Sequence, residues 1–161
     1  MVKFFSFSPK FYIILQSQNN NMGRILAIDY GRKRIGIAVS DPSQIIANKL
    51  ATIATHTIWD FLQNYFLNEE VDEVVVGYPR QLNNEASQAV VYVNPFIRKF
   101  KAIYPEKPLC LADERFTSKM AFQTMIDGGI RKKGRKDKAM VDAISATIIL
   151  QSYMEQKRNN R

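Results

Sequence analysis

Short apolar runs precede any helix-like pattern, and that order constrains the fold more than any other feature of the chain. Ile25–Asp29 and Ile35–Ser40 are almost uninterrupted apolar runs. They are too short for helices and lack the alternation of a half-buried strand, so they read as strands covered on both faces. The Gly31–Arg34 segment between them is a plausible hairpin loop. Leu50–Thr55 is a candidate third strand. After it the period changes. Ile58, Phe61, Leu62, Tyr65 and Phe66 fall at helical spacing, with Thr55 or Thr57 available as a cap. "VDEVVVGYP" is a buried strand, stopped by Gly77 and Pro79. A helical stripe then runs through Ala86, Ala89, Val90, Val93, Ile97 and Phe100, with a kink expected at Pro95. "KPLCLADE" is a fifth strand, and "TSKMAFQTMIDGG" a helix with a Thr-Ser start and a Gly-Gly stop. "IRKKGRKDK" is a basic loop, "AMVDAISATIILQSYME" a last helix, and a basic tail closes the chain.

The resulting order is β-β-β-α-β-α-β-α-α. Alternation of strand and helix demands parallel crossovers, whereas the first three strands form a hairpin-like set. An α/β fold with one mixed five-stranded sheet and helices on both faces satisfies both halves. The 161 residues suit a single domain. Residues 1–21 are expected to be a flexible upstream extension, with Met22 the functional start. Residues 22–154 form the domain and 155–161 the tail. "FYIIL" is too short for a signal-peptide core or a bilayer span, so we expect a cytoplasmic protein without a membrane partner. The lone cysteine, Cys110, excludes an intrachain disulfide and a cysteine-rich zinc site. It reads as a small core residue in a reducing compartment.

The formal charge of +8 favours an acidic partner, and nucleic acid is the commonest. Carboxylates stand where such a partner would be worked on. Asp29 ends the first strand, the Asp113–Glu114 pair ends the fifth, and Asp142 is the one charged residue between Ala139 and Leu150. Ligands in such sheets gather at the carboxyl ends of parallel strands. Successive strand residues point to opposite faces, so Asp113 and Glu114 compete for one place. Asp142 needs a cation, a donor or a proton if its helix is buried. The helix dipole and Lys138, four residues earlier, are the local alternatives. Taken together, these hard oxygen donors suit Mg²⁺ or Mn²⁺. Two such ions about 4 Å apart serve phosphodiester hydrolysis, with Arg32, Lys33 and Arg34 on the phosphate backbone. His56, the single histidine, lies in no motif and reads as surface. Trp59 reads as core, while Tyr30 and Tyr78 stand at loop ends where bases could stack. In the basic loop, Arg131, Lys132, Lys133, Arg135 and Lys136 read as a phosphate clamp.

"IDYGRKRIGIAVSD", "VVVGYPRQ", "ADERFTS" and "VDAISATIILQSYM", in this order from about Met22 to Met154, resemble the YqgF family. Its members are described as Holliday-junction resolvases or as nucleases of pre-16S ribosomal RNA, with a ribonuclease-H-like fold. The resemblance implies a metal-binding triad of Asp29, Glu114 and Asp142, with Arg115 on phosphate or orienting the acids. It also implies Arg80 near substrate and a Thr117–Ser118 cap. Tyr78 departs from a usual Leu, and Asn83–Asn84 from Asp-Gly. Ser145 replaces an alanine and occupies the position where related resolvases carry a fourth acid, which would weaken one metal site. The implied activity is metal-dependent hydrolysis at the 5′ end of precursor 16S ribosomal RNA, by a monomer or homodimer. The alternatives are a four-way DNA junction resolvase, which needs a dimer for two symmetric cuts, and a non-catalytic RNA-binding factor. An actin-like or sugar-kinase phosphate loop needs two lobes, for which the chain is too short.

Overall fold

The computed structural model describes residues 22–78, 90–113, 117–131 and 137–160, without the side chains of 117–119 and 122. Its elements are β1 (Arg24–Tyr30), β2 (Arg34–Ser40), β3 (Ala47–Ala54), a 3₁₀ turn (Thr55–Thr57), α1 (Ile58–Asn68), β4 (Val71–Tyr78), α2 (Val90–Ile103), β5 (Leu109–Asp113), α3 (Thr117–Asp127) and α4 (Lys138–Asn159). The strands form one five-stranded sheet in the order β3-β2-β1-β4-β5. β1–β2 and β2–β3 are antiparallel, while β1–β4 and β4–β5 are parallel. This is the mixed α/β sheet expected of a ribonuclease-H-like chain. Residues 1–21, expected to be an upstream extension, lie outside the described residues.

Side-chain alternation in the central strands builds two cores. Leu26, Ile28, Ile35, Ile37, Val74 and Val76 point to one face, where Ile58 and Leu62 of α1 and Val93, Phe96 and Phe100 of α2 close over them. Ile25, Ala27, Ala38 and Val75 point to the other, against Ala146, Ile149, Leu150 and Met154 of α4. Both faces of β1 are therefore dry, which is why its sequence shows no polar alternation. Apart from Ile25, the buried residues of β1 and β2 that face α4 are small, and the large ones face α1 and α2. α2 continues through Pro95.

Local signals differ in how they are used. The Gly-Gly stop holds. Gly129 takes φ +72, Ile130 N–H donates to the Met125 carbonyl at 2.9 Å and Gly129 N–H to that of Ile126 at 2.9 Å, which is the Schellman closure. The expected threonine cap of α1 is not used. Thr57 Oγ1 donates to the Ala54 carbonyl and Thr55 Oγ1 to that of Gly31, both at 2.8 Å, so neither caps α1. The Thr117–Ser118 cap lies outside the described side chains.

The last helix runs further than its apolar pattern, through much of the basic tail to Asn159. The reason is a polar cluster at the end of the sheet remote from Asp29. Glu73 of β4 is 9% exposed and accepts from Lys157 Nζ at 2.7 Å, from Cys110 Sγ at 3.0 Å and from the Tyr153 hydroxyl. Burial opposes the Glu73 charge, but the bonds from Lys157, Tyr153 and Cys110 outweigh it and hold the carboxyl below its ordinary range. Burial raises the Tyr153 hydroxyl, helped by its bonds to Cys110 and Glu73. Burial also raises the Cys110 thiol, helped by the nearby Glu73 carboxylate. Cys110 is thus an apolar neighbour of α4 and a donor, and a thiol reagent at neutral pH should modify it slowly. Glu73→Gln should cost about 2 kcal/mol in urea unfolding near pH 7. A depressed carboxyl stabilises above its unfolded pKa and loses that contribution as pH falls through the folded one. The gap between wild type and Glu73→Gln should therefore be widest above about pH 4.5 and close as the solution becomes more acidic. A gap independent of pH would mean that shape, not charge, holds the cluster.

Candidate functional site

Asp29 is the next-to-last residue of β1. Ile25 and Ala27 face α4, so alternation sets Asp29 on that same face. Its partner across the antiparallel ladder is Gly36 of β2. A Cβ on Gly36 would lie 2.0 Å from the Asp142 carbonyl oxygen and 2.5 Å from its carbon. The backbone of α4 at Asp142 therefore rests on the strand residue paired with Asp29, an approach open only to glycine. A register pair and one missing side chain bring two distant carboxylate-bearing residues to one face, at the carboxyl end of β1.

The start of α4 is fixed there by three bonds. Thr52 Oγ1 of β3 donates to the Ala139 carbonyl at 2.8 Å. Asp137 caps the helix, accepting from Ala139 N–H at 2.9 Å. Arg34 Nε donates to Asp142 Oδ2 at 2.9 Å. The partner of Asp142 is thus neither Lys138 nor the dipole but an arginine from the second strand. The two side chains remain 38% and 28% exposed, so this pair is weak and open to exchange. Hard carboxylate oxygens whose present partner is an exchangeable cation fit a divalent ion such as Mg²⁺ or Mn²⁺.

On β5, Cys110 and Ala112 face α4 and Leu109 faces the other core. Asp113 follows Ala112 and pairs with Tyr78, which packs on the α1–α2 side. Asp113 thus alternates away from Asp29. Glu114 lies outside the described residues, as do Arg80, Arg115, Lys132, Lys133, Arg135 and Lys136. Arg131, at the start of the basic loop, is exposed. Among the described residues no three His, Cys, Asp or Glu side chains converge closely enough to hold a metal.

Arg32 and Lys33 are exposed at the hairpin tip. Gly31 allows the turn, because a Cβ there would lie 2.5 Å from the Arg34 carbonyl oxygen. Thr55 then pins the tip: its hydroxyl donates to the Gly31 carbonyl at 2.8 Å and its N–H to that of Lys33 at 3.2 Å. Tyr30, Arg32, Lys33, Thr55, His56 and Trp59 line an open groove of about 540 Å³ beside this pinned hairpin. Trp59 therefore serves the core through Phe96, 5.3 Å away, and the groove as well. Residue patterns alone did not find Gly36, Thr52 or this groove. An isolated glycine inside an apolar strand was the available signal for the first.

A mixed five-stranded sheet in this order, with an acid at the carboxyl end of its central strand and a second on the helix laid across it, defines an α/β protein with a candidate site at one end of its sheet. Residues 23–156 match the family RuvX, described as Holliday junction resolvase, and the chain belongs to that family. It is 55% identical over 137 residues to a Bacteroides fragilis protein named as a candidate pre-16S rRNA nuclease, covering 85% of this chain and 99% of that one. A Flavobacterium psychrophilum protein with the same name is 55% identical over 136 residues, covering 84% and 99%. The RuvC of Thermus thermophilus in complex with a Holliday junction substrate aligns over 84% of this chain and 96% of that one, at 14% identity and a TM-score of 0.49, too distant to bear on function. Among the described residues no helix is long and apolar enough to cross a membrane.

Proposed function

We propose that the chain is a metal-dependent nuclease that hydrolyses phosphodiester bonds, processing the 5′ end of precursor 16S ribosomal RNA during ribosome biogenesis in the cytoplasm. The observation that carries this reading is the seating of Asp142 on Gly36, beside Asp29, in a member of a resolvase family. Asp29, Glu114 and Asp142 are the proposed ligands. Asp113 ends β5 and alternates away from the face that Asp29 occupies, which leaves Glu114 as the proposed ligand of that pair. When bound, Mg²⁺ or Mn²⁺ would lower the pKa of an attacking water and neutralise charge on the leaving oxygen.

The protein's own groups supply binding and orientation. Arg32 and Lys33 at the pinned tip hold the phosphate backbone, and Arg80, Arg115, Arg131, Lys132, Lys133, Arg135 and Lys136 extend that hold. Such contacts give affinity and register but do not read sequence. Arg34 orients Asp142, and if that carboxylate held a divalent ion, the arginine would be free to take phosphate.

The names of the relatives favour ribosomal RNA, and the family description favours a four-way DNA junction. A test compares 5′-labelled precursor 16S RNA with a labelled four-way junction, each with Mg²⁺, Mn²⁺ or EDTA, with solution mass recorded on the junction. We expect EDTA-sensitive cutting of the RNA by a monomer or dimer. Paired symmetric cuts in the junction by a dimer would establish the resolvase instead. Tight RNA binding without cutting in any metal would leave a non-catalytic binding factor.

A further inference from the structure

Tyr30 follows Asp29 on β1 and therefore points to the opposite face, into the groove it shares with Arg32, Lys33, Thr55, His56 and Trp59. This groove combines two cations with three rings and has no carboxylate among its lining residues. Tyr30 stacks on Phe96 at 4.6 Å and Trp59 leans on the same ring. Their backing is therefore fixed by the core, not by mobile surface groups. Thr55 ties the cationic tip to the 3₁₀ turn that carries His56. Lys99 from α2, which does not line the groove, holds its ammonium 4.6 Å from the centre of the Trp59 ring. Arg32 lies 5.8 Å over the Tyr92 ring.

Rings with a rigid backing and positive charge along one edge are what an unpaired nucleotide needs. The phosphate takes the charge and the base takes the ring face. A duplex has its bases already stacked on each other and gains nothing from such rings. We propose that this groove is a subsite for one nucleotide of the single strand leading away from the cleavage point, with its phosphate on Arg32 and Lys33 and its base against Tyr30, His56 and Trp59. The subsite rests on the nuclease reading for its orientation. It also narrows the substrate to one with an unpaired stretch beside the scissile bond.

Trp59 is the only tryptophan, so its emission reports on the groove directly. The full chain is titrated in EDTA, which silences metal-dependent cutting, with fluorescein-labelled oligouridylate. A duplex RNA of equal length and an abasic strand of equal charge serve as controls. The expected result is a saturable change in Trp59 emission with oligouridylate that follows its anisotropy, and binding about tenfold weaker for both controls. Arg32→Ala with Lys33→Ala should reduce the slope of log affinity against log salt by about 1.4. His56→Ala, at an exposed position, should weaken oligouridylate severalfold and leave the abasic strand unchanged. Trp59 emission that stays flat while anisotropy saturates would overturn the subsite, as would equal binding of the abasic strand. Because no metal is present, these outcomes are independent of cleavage. A working groove on a protein that never cuts would refute the nuclease reading alone, and cutting with a silent Trp59 would refute the groove alone.

Discussion

Asp142→Asn will lower metal-dependent cleavage by about a hundredfold or more while the protein stays folded. The substitution preserves shape and removes one negative charge. If Asp142 is a metal ligand, a neutral amide in its place weakens the ion's hold and its orientation together. If Asp142 is only the partner of Arg34, the loss is that of a half-exposed ion pair, about 1 kcal/mol at most, with no direct effect on chemistry. The two roles thus separate on two readouts from the same variant. Cleavage of labelled precursor RNA over a Mg²⁺ and Mn²⁺ series measures the first, and urea unfolding the second. Near-normal cutting by a modestly destabilised variant would return Asp142 to a structural role and remove it from the proposed triad.

Gly36→Val should cost on the order of 3 kcal/mol or more in unfolding free energy, lowering the melting temperature by roughly 10 °C. A Cβ at this position would meet the Asp142 carbonyl at 2.0 Å, where the obstacle is helix backbone and no rotamer change relieves it. Either α4 lifts from β2 or the strand pair bends. Lifting separates the start of α4 from Thr52, whose hydroxyl holds the Ala139 carbonyl, and loosens the packing of Ala146 and Ile149 on the small residues of β1 and β2. Because Gly36 is also the register partner of Asp29, the same movement should abolish cleavage even at temperatures where the variant is folded. Gly36→Ala is the milder companion, with the same sign. Wild-type stability and activity in both variants would show that α4 does not sit on the strand as described.

The sheet was largely legible because buried strands and amphipathic helices differ in period, and period is a local property. β1, β2 and β4 announce themselves as dry runs between turn residues, and the Gly128–Gly129 stop of α3 is a local closure whose bonds all lie within one turn. Asp29 was legible as an acid ending such a run. Local reading was less complete wherever a residue had two possible users. Thr55 and Thr57 looked like caps for α1 but are spent on the Gly31 and Ala54 carbonyls. Lys157 read as part of the basic tail, whereas it anchors the end of α4 on Glu73, 84 residues away.

What the sequence determined alone was therefore the inventory and its order: which segments are strands, which are helices, and that acids stand at strand ends among basic residues. Only the tertiary structure decided who faces whom. Arg34 and Asp142, 108 positions apart, form a pair because β2 lies beneath α4. Asp113 turns away from the face of Asp29 because its strand alternates from Ala112. Trp59 reaches a groove because the 3₁₀ turn leading into α1 is pinned to the hairpin tip through Thr55. Propensity and period act over a few residues, whereas register and helix seating are set by core packing from both faces of the sheet at once.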